Sequence, residues 1–338
     1  MSFLRRACFS TELNFPLTNG QGDPLSLTVP FSYYHRGQAM LRSVFVGSPN
    51  RFTLLLTHWL SMHTDLRGTV HTSSAHWFRS LKGCLQFARK RLNRVGLLKM
   101  TDEVFYYLLL QRKYLYSAAN ANNQNRLIAF YVRRHGWPEW QGDSILADNI
   151  NSPTVLQFVR ERRPDLIMAV CTNDYFGRTL RTIPRLGCFL WHEGITPEYK
   201  GLYAPFWAIH NLDLSMLGYT VLRMNDGYDD GEAFLQGPAD VDPRTDSPHY
   251  IGHKAILDSL PAVEGLLGKL EDGTVMPLST VTRRSATYTY PGLSDWLRFS
   301  ARRKRLRGTP LAGPEFVEPL RLRVLDSSIG RFPRDREP

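Results

Sequence analysis

The strongest constraint on the fold is a series of short apolar runs that alternate with helical patterns. Leu166–Cys171 is apolar at every position, and Arg185–His192 is apolar over most of its length, as expected of strands buried on both faces. The stretch Thr154–Arg160 instead spaces its apolar residues as an amphipathic helix does. Strands that alternate with helices favour parallel β-α-β units in one sheet. The sequence therefore predicts an α/β fold.

Further runs extend the same pattern along the chain. Strands are predicted at Ser43–Pro49, Arg67–His71 and Gly218–Met224, and long helices over residues 75–135 and 250–270. Together they predict a Rossmann-like, open and mostly parallel sheet with helices on both faces, and ligands that bind at the carboxyl ends of the strands.

Two segments flank this predicted α/β domain, which we place at residues 41–284. Residues 1–40 contain two alternating runs around a turn with Gly, Asn and Pro, which predicts an N-terminal β-hairpin extension. Residues 285–338 are basic and Pro-rich after a short strand-like run. We expect them to form a short C-terminal arm that buries little apolar surface.

The charge and the cysteines limit the classes of function. Lys and Arg outnumber Asp and Glu by 42 to 31, a net charge of +11, which favours attraction to anionic small molecules. Much of the excess lies in the stretch from Arg298 to Arg307, where a solvated basic tail explains it more simply than a nucleic-acid site does. The four cysteines are far apart without Cys-x-x-Cys spacing, so we expect no metal site and no disulfide framework.

Location follows from the same features. The cysteine pattern fits a reducing, cytoplasmic environment. No run of about 18 apolar residues is present, so we expect no membrane span.

One segment combines a strand end with chemically active side chains. The run that begins at Leu186 ends at His192, and the loop after it contains Pro197 and closes at Lys200-Gly201. A helical stretch and a strand that opens at Gly218 follow. The loop Asp226–Gly231 comes next, with Asp229 near its end.

This two-part pattern resembles the signature of the folate-dependent formyltransferases. That family includes methionyl-tRNA formyltransferase, glycinamide ribonucleotide transformylase and the sugar N-formyltransferases. In it, a strand ends in Asn-x-His, its loop ends in Pro-x-x-(Arg/Lys)-Gly, and a later loop reads Asp-x-Gly-x-Asp-x-Gly. The order and the spacing agree here except for one residue fewer in the first gap of the later loop.

The resemblance implies a chemistry and a cofactor. An amine would attack the formyl group of 10-formyltetrahydrofolate, His192 would stabilise the oxyanion, and Asp229 would orient His192 and help to remove the amine proton. Preorganised donors are what an oxyanion requires, and a carboxylate beside a histidine fixes its tautomer. The residues expected to contact the folate lie in the two loops: Gly194, Ile195, Thr196, Pro197, Met224, Asp226, Gly227, Tyr228 and Gly231.

One position departs from the family pattern. Leu190 stands where the family has its asparagine, and leucine cannot donate a hydrogen bond. Loss of one oxyanion donor costs about 2.7–4 kcal/mol in transition-state stabilisation. Asn173, just past the neighbouring strand, is a candidate substitute donor, so we include it among the catalytic residues. The alternative is the same fold with hydrolase, other or no transfer chemistry.

The partners follow from the same resemblance. We expect a small amine substrate and a folate. A tRNA partner is not expected, because the tRNA-directed members append a C-terminal barrel and only some fifty residues remain after Thr287. A homodimer is left open. Alone, His192 and Asp229 could equally be an ordinary buried histidine and a solvated acidic turn, and the match of both loops is what favours the active-site interpretation.

Overall fold

A computed structural model of the protein describes residues 40–72, 81–106, 118–135, 139–172 and 174–307. The predicted N-terminal hairpin lies outside these ranges except for Met40. The chain beyond Arg307 and the candidate donor Asn173 lie outside them as well.

Seven strands form one sheet, and two short strands form a second. The large sheet has the order β3-β2-β1-β4-β5-β7-β8, and β6 pairs with β9. The strands are β1 (Arg42–Gly47), β2 (Asp65–Thr72), β3 (Ser144–Ala147), β4 (Leu166–Val170), β5 (Gly187–His192), β6 (Lys200–Gly201), β7 (Gly218–Arg223), β8 (Ala233–Pro238) and β9 (Thr287–Tyr288).

The strand directions confirm the predicted mostly parallel sheet. The pairs from β3 to β5 are all parallel, whereas β7 pairs antiparallel with both β5 and β8. The strand β8 was not predicted, because its apolar run is short and directly follows a Gly- and Asp-rich loop. Its neighbour β7 was predicted in place, although its reversed direction was not.

Helices cover both faces of the sheet. They are α1 (Arg51–His63), α2 (Leu81–Phe105), α3 (Ala118–His135), α4 (Pro153–Arg162), α5 (Arg178–Arg181), α6 (Ala204–His210), α7 (Pro248–Asp258), α8 (Leu260–Glu271) and α9 (Leu293–Leu306), with one turn of 3-10 helix at Leu214–Met216. None of the helices in the described ranges is long and apolar enough to cross a membrane.

Local sequence explains where several helices begin. The side chains of Asn50, Ser152 and Ser247 cap α1, α4 and α7 by accepting a backbone N–H of the first turn. The single helix predicted over 250–270 is in fact two helices. Pro261 stands in the first turn of α8, a position that tolerates its missing N–H, whereas the interior of one continuous helix would not.

The sheet separates two apolar layers. Alternate residues of the strands face opposite sides, so Phe189 and Trp191 pack with α1, α7 and α8, while Cys188 and Leu190 pack with α4 and α5. A third apolar cluster lies around α6, and Phe299 of α9 is fully buried in it.

This third cluster corrects the expectation for the C-terminal arm. We expected residues after 284 to bury little apolar surface. Instead, β9 pairs with β6, and Trp296 and Phe299 of α9 stack on Phe206 of α6. The many basic residues of α9 concealed an apolar pair at i, i+3 spacing, which places both rings on one side of the helix.

Candidate active site

The strand order reverses between β1 and β4. From β1 the chain proceeds outward to β2 and β3, and then returns to β4 on the other side of β1. In open α/β sheets ligands bind at the carboxyl ends of the strands beside such a reversal. Gly47 at the end of β1, Ser48 after it, Cys171 after β4 and His192 at the end of β5 lie along this edge. The Ser48 hydroxyl donates to the Cys171 carbonyl at 2.9 Å and joins two of the strand ends.

His192 is buried at the end of β5, with both ring nitrogens directed at oxygen atoms. Its Nε2 lies 2.9 Å from the backbone carbonyl of Tyr199. Its Nδ1 lies 3.7 Å from Oδ2 of Asp229. A carbonyl only accepts, so Nε2 must carry the proton of that bond, and Nδ1 is left to face the carboxylate.

Asp229 connects the two parts of the sequence signature. It adopts a left-handed backbone conformation with φ of 49°, which aspartate tolerates better than most residues do. Its Oδ2 accepts a hydrogen bond from the backbone N–H of Gly201 at 2.7 Å. Next to it, Asp230 pairs with the Lys200 ammonium at 2.5 Å. The loop after β7 is thus fastened to the end of the loop after β5.

A network of polar side chains from β7, β8 and the C-terminal segment holds the loop after β5 by hydrogen bonds. The Thr220 hydroxyl donates to the carbonyl of Gly194 at 2.7 Å and accepts from the backbone N–H of Thr196 at 3.1 Å. The Gln236 amide donates to Thr220 as well, at 3.1 Å. Arg283 donates to Gln236 at 2.7 Å and forms an ion pair with Glu198. Residues on β7, β8 and the C-terminal segment therefore set the position of this loop.

Gly194 is required by the closeness of the loop to His192. A Cβ at this position would lie 3.0 Å from Nε2 of His192, 2.9 Å from the Tyr199 carbonyl oxygen and 2.5 Å from Cβ of Ala204. Contacts under 3.0 Å force a neighbour to move, so a larger residue here would displace the histidine ring or α6.

The residues predicted to contact a folate divide into two groups. Ile195 and Thr196 are buried, and Cδ1 of Ile195 lies 2.9 Å from where a Cβ on Gly218 would be. Their side chains therefore pack inside the protein, and Pro197 follows Thr196 through a cis peptide bond. Met224, Asp226, Gly227, Tyr228 and Gly231 belong to the other loop, which follows β7.

The second group presents an open surface. Asp226, Gly227 and Tyr228 are exposed, and the Tyr228 ring lies 6.1 Å from that of Tyr175, which follows β4. An exposed aromatic ring offers a flat face on which a planar ring system such as a pterin stacks. The exposed rings are thus compatible in chemistry with a pterin.

Leu190 lies on the same face of β5 as His192 and packs among apolar neighbours that include Ala169 and Leu222. Asn173 lies outside the described residues, so its candidacy as a substitute donor stays a prediction.

Glu193 is a neighbour of the candidate site that the sequence reasoning did not single out. It follows His192 directly, and burial raises the pKa of its carboxyl to about 7. The nearby Asp229 raises the same pKa, whereas His192 lowers it. The available signal was a carboxylate directly after the signature histidine at the carboxyl end of a predicted parallel strand.

The comparisons with known proteins match the part of the chain that contains these residues. The family model described as formyl transferase matches residues 123–256. Over this segment the chain is similar to the formyl transferases. The match ends within α7 and includes β3 to β8, so it contains His192, Glu193 and Asp229.

Curated relatives are similar to just under half of the chain. A methionyl-tRNA formyltransferase of Synechococcus sp. is 32% identical over 157 residues, which is 46% of this chain and 47% of the relative. One of Geotalea daltonii is 28% identical over 175 residues, or 49% of this chain and 53% of the relative. The chain thus spans about half the length of these relatives. Among solved structures, a sugar N-formyltransferase from a Shewanella species is 13% identical with a TM-score of 0.45, over 78% of this chain and 87% of that one.

Proposed function

We propose that this protein is an N-formyltransferase that moves a formyl group from 10-formyltetrahydrofolate to the amine of a small molecule. The observation that carries the proposal is the pair of buried His192 and half-buried Asp229, with Nδ1 and Oδ2 3.7 Å apart at the carboxyl end of β5. The matched formyl transferase segment contains both residues.

His192 would stabilise the charge that develops on the formyl oxygen. Its Nε2–H is engaged by the Tyr199 carbonyl, so the donor available to the oxyanion would be a proton on Nδ1. The Asp229 carboxylate, whose Oδ2 lies 3.7 Å from Nδ1, would favour the ring that carries this proton. A preorganised donor of this kind is worth several kcal/mol, since removal of one costs about 2.7–4 kcal/mol.

The folate would lie between the two loops. 10-Formyltetrahydrofolate supplies the formyl carbon. Met224, Asp226, Gly227, Tyr228 and Gly231 would hold the pterin from one side, and Gly194 to Pro197 would line the other through their backbone. In the transfer, the acceptor nitrogen bonds to the formyl carbon, the bond from that carbon to N10 breaks, and N10 takes a proton.

Calorimetry with 5-formyltetrahydrofolate, the non-reactive isomer, tests the cofactor assignment. We expect saturable heat at micromolar to millimolar ligand. Absence of heat and of any thermal shift at millimolar ligand would remove the folate from the proposal. Transfer is tested with amino-sugar nucleotides, glycinamide ribonucleotide and methionyl-tRNA, and we expect a small-molecule acceptor to be formylated.

A second function is favoured by one observation. Leu190 fills the position of the family asparagine with a buried apolar side chain, so one oxyanion donor is missing. The same fold could then release formate to water or have another role. Formate production without an added amine, at a rate that no acceptor raises, would support this alternative and contradict formyl transfer.

A further inference from the structure

The helix α2 bends sharply at Gly96. This residue has a left-handed φ of 78°, a conformation that glycine adopts without strain. A Cβ on Gly96 would meet no atom of the described chain within 4 Å, so the bend points into open space. Leu97 and Leu98 follow it directly and are 62% and 87% exposed. We refer to residues 89–99 as the α2 elbow, with these two leucines at its tip.

Ion pairs fix the elbow to the rest of the protein. Arg91, before the bend, donates to Glu103 after it, with Nε and Oε2 2.8 Å apart, and both side chains are largely buried. Lys99 pairs with Asp295 of α9. The two limbs of α2 are thereby joined to each other and to the neighbouring helix. The exposed leucines are therefore presented on a fixed support.

The charge of the α2 elbow has a single sign. Residues 89–99 contain five Lys and Arg and no Asp or Glu. Two of these cations, Arg91 and Lys99, are engaged in the ion pairs, whereas Arg89 and Arg94 are exposed. The elbow therefore presents positive charge and apolar side chains on the same short segment, which is typical of segments that bind at a membrane surface.

This combination distinguishes between possible partners. A second copy of the chain would place like charges against each other. An RNA would bind the arginines and leave the leucines in water. A groove on a protein receives apolar residues three, four and seven positions apart on one side of a helix, whereas Leu97 and Leu98 are adjacent and follow the bend. An anionic bilayer suits both kinds of side chain, because its phosphates attract arginine and its acyl region accepts leucine without a fixed shape.

We propose that the α2 elbow binds the surface of an anionic membrane. Leu97 and Leu98 enter the boundary between headgroups and acyl chains, and Arg89 and Arg94 lie at the lipid phosphates. Such a contact stays in the interface of the bilayer and needs no membrane-spanning helix. It goes beyond the proposed function, because it brings the protein to a membrane whatever reaction the protein catalyses.

Co-sedimentation of the protein with lipid vesicles tests the proposal. One set of vesicles is phosphatidylcholine alone, and the other is an equal mixture of phosphatidylcholine and phosphatidylglycerol. We expect the protein to bind the mixed vesicles more tightly than the neutral ones, since only the mixed vesicles carry net negative charge. Binding should be weaker in about 1 M NaCl than in about 0.1 M, because salt screens the attraction between the arginines and the lipid phosphates.

Paired variants separate insertion of the leucines from attraction by charge. Leu97→Ser combined with Leu98→Ser should weaken binding to the mixed vesicles by about 10-fold or more, because the apolar burial is lost. Arg89→Gln combined with Arg94→Gln should weaken it by about 25-fold, since each cation at the surface contributes about five-fold. Val281 is 92% exposed and lies outside α2, so Val281→Ser is the control and should bind as wild type does.

Three results would overturn the proposal. Absence of binding to the mixed vesicles would favour a protein partner with an acidic groove instead. A double leucine variant that binds as tightly as wild type would mean that the net positive charge alone attracts the protein. A double leucine variant that melts at a lower temperature, or that dissociates a dimer seen by analytical ultracentrifugation, would mean that the leucines are covered within the chain or by a second copy.

Discussion

The carboxylate of Asp229 accepts a hydrogen bond from the backbone N–H of Gly201 at 2.7 Å while it faces Nδ1 of His192. One side chain thereby connects the loop after β7 to the loop after β5. The proposed orienting carboxylate is thus held by the backbone of the loop that follows the proposed oxyanion donor.

This connection gives a first prediction. Asp229→Asn keeps an oxygen that can accept from Gly201, so we expect the melting temperature to stay within about 3 °C of wild type, a shift of less than about 1 kcal/mol. The negative charge beside Nδ1 is lost, and turnover should fall by about 100-fold or more, the usual scale of acid–base assistance. Single-turnover assays and thermal melts measure the two effects. A variant of near-wild-type rate would exclude Asp229 from the chemistry.

Much of this site could be predicted from the sequence, and the limits have physical causes. His192 and Asp229 lie in local patterns, a strand end and a glycine-containing loop, which are visible in a few residues. The burial of Glu193 depends on Gly252, which is distant in the chain and approaches only when α7 packs on the sheet. The spacing of residues along the sequence does not predict a contact between Glu193 and Gly252.

The fold shows the same limit. Apolar runs located β1, β4, β5 and β7, but a run has the same pattern in either direction, so the antiparallel pairing of β7 was not visible. In β8, Gly237 and Pro238 are residues that weaken a strand prediction. The helix α9 was not predicted because most of its residues are basic or polar. Its two aromatic residues, Trp296 and Phe299, pack it against α6.

The second prediction concerns this packing. Phe299 is fully buried against α6, so Phe299→Ala should lower the free energy of unfolding by about 3–5 kcal/mol. Leu297 on the same helix is 61% exposed, so Leu297→Ala should change the free energy of unfolding by no more than about 0.5 kcal/mol. Denaturant titrations of both variants measure this free energy. Equal stability of the two variants would mean that α9 contributes no packing energy.

Truncation extends this test and reverses the expectation from sequence. Removal of the chain after Gly292 deletes α9 and exposes the α6 cluster, so we expect loss of soluble protein. Truncation after Arg307 keeps every described contact of α9 and should retain solubility. A soluble, folded product of the shorter chain would contradict the structural role of the helix.

A third prediction concerns stability in acid. Asp165 accepts from the Arg42 side chain and backbone and from Arg185, at 3.0 to 3.1 Å. The Arg42 guanidinium is the main reason that the pKa of Asp165 lies well below its usual range. A depressed folded pKa gives stability that is present above the unfolded value of about 3.9 and is lost as pH falls through the range below it.

Asp165→Asn isolates this contribution. At pH 7 we expect the variant to be less stable by about 1–3 kcal/mol, since hydrogen bonds to charged groups are lost. The difference from wild type should shrink as the pH falls from about 4. Urea titrations between pH 3 and pH 7 measure it, and a difference that does not depend on pH would show that charge is not its cause.

The last prediction concerns Leu190, which shares a face of β5 with His192 and is only 9% exposed. If the protein transfers formyl groups with one oxyanion donor missing, Leu190→Asn restores an amide at the family position. We then expect single-turnover transfer to be faster by up to about 100-fold, because such a donor is worth a few kcal/mol. The new amide replaces apolar contacts with Ala169 and Leu222, so the free energy of unfolding should fall by about 1–3 kcal/mol. Leu190→Ala is the control, since it loses the same contacts without the donor and should not be faster. A Leu190→Asn variant that is both slower and less stable would mean that this chain does not use a donor at that position, and would favour the alternative chemistry.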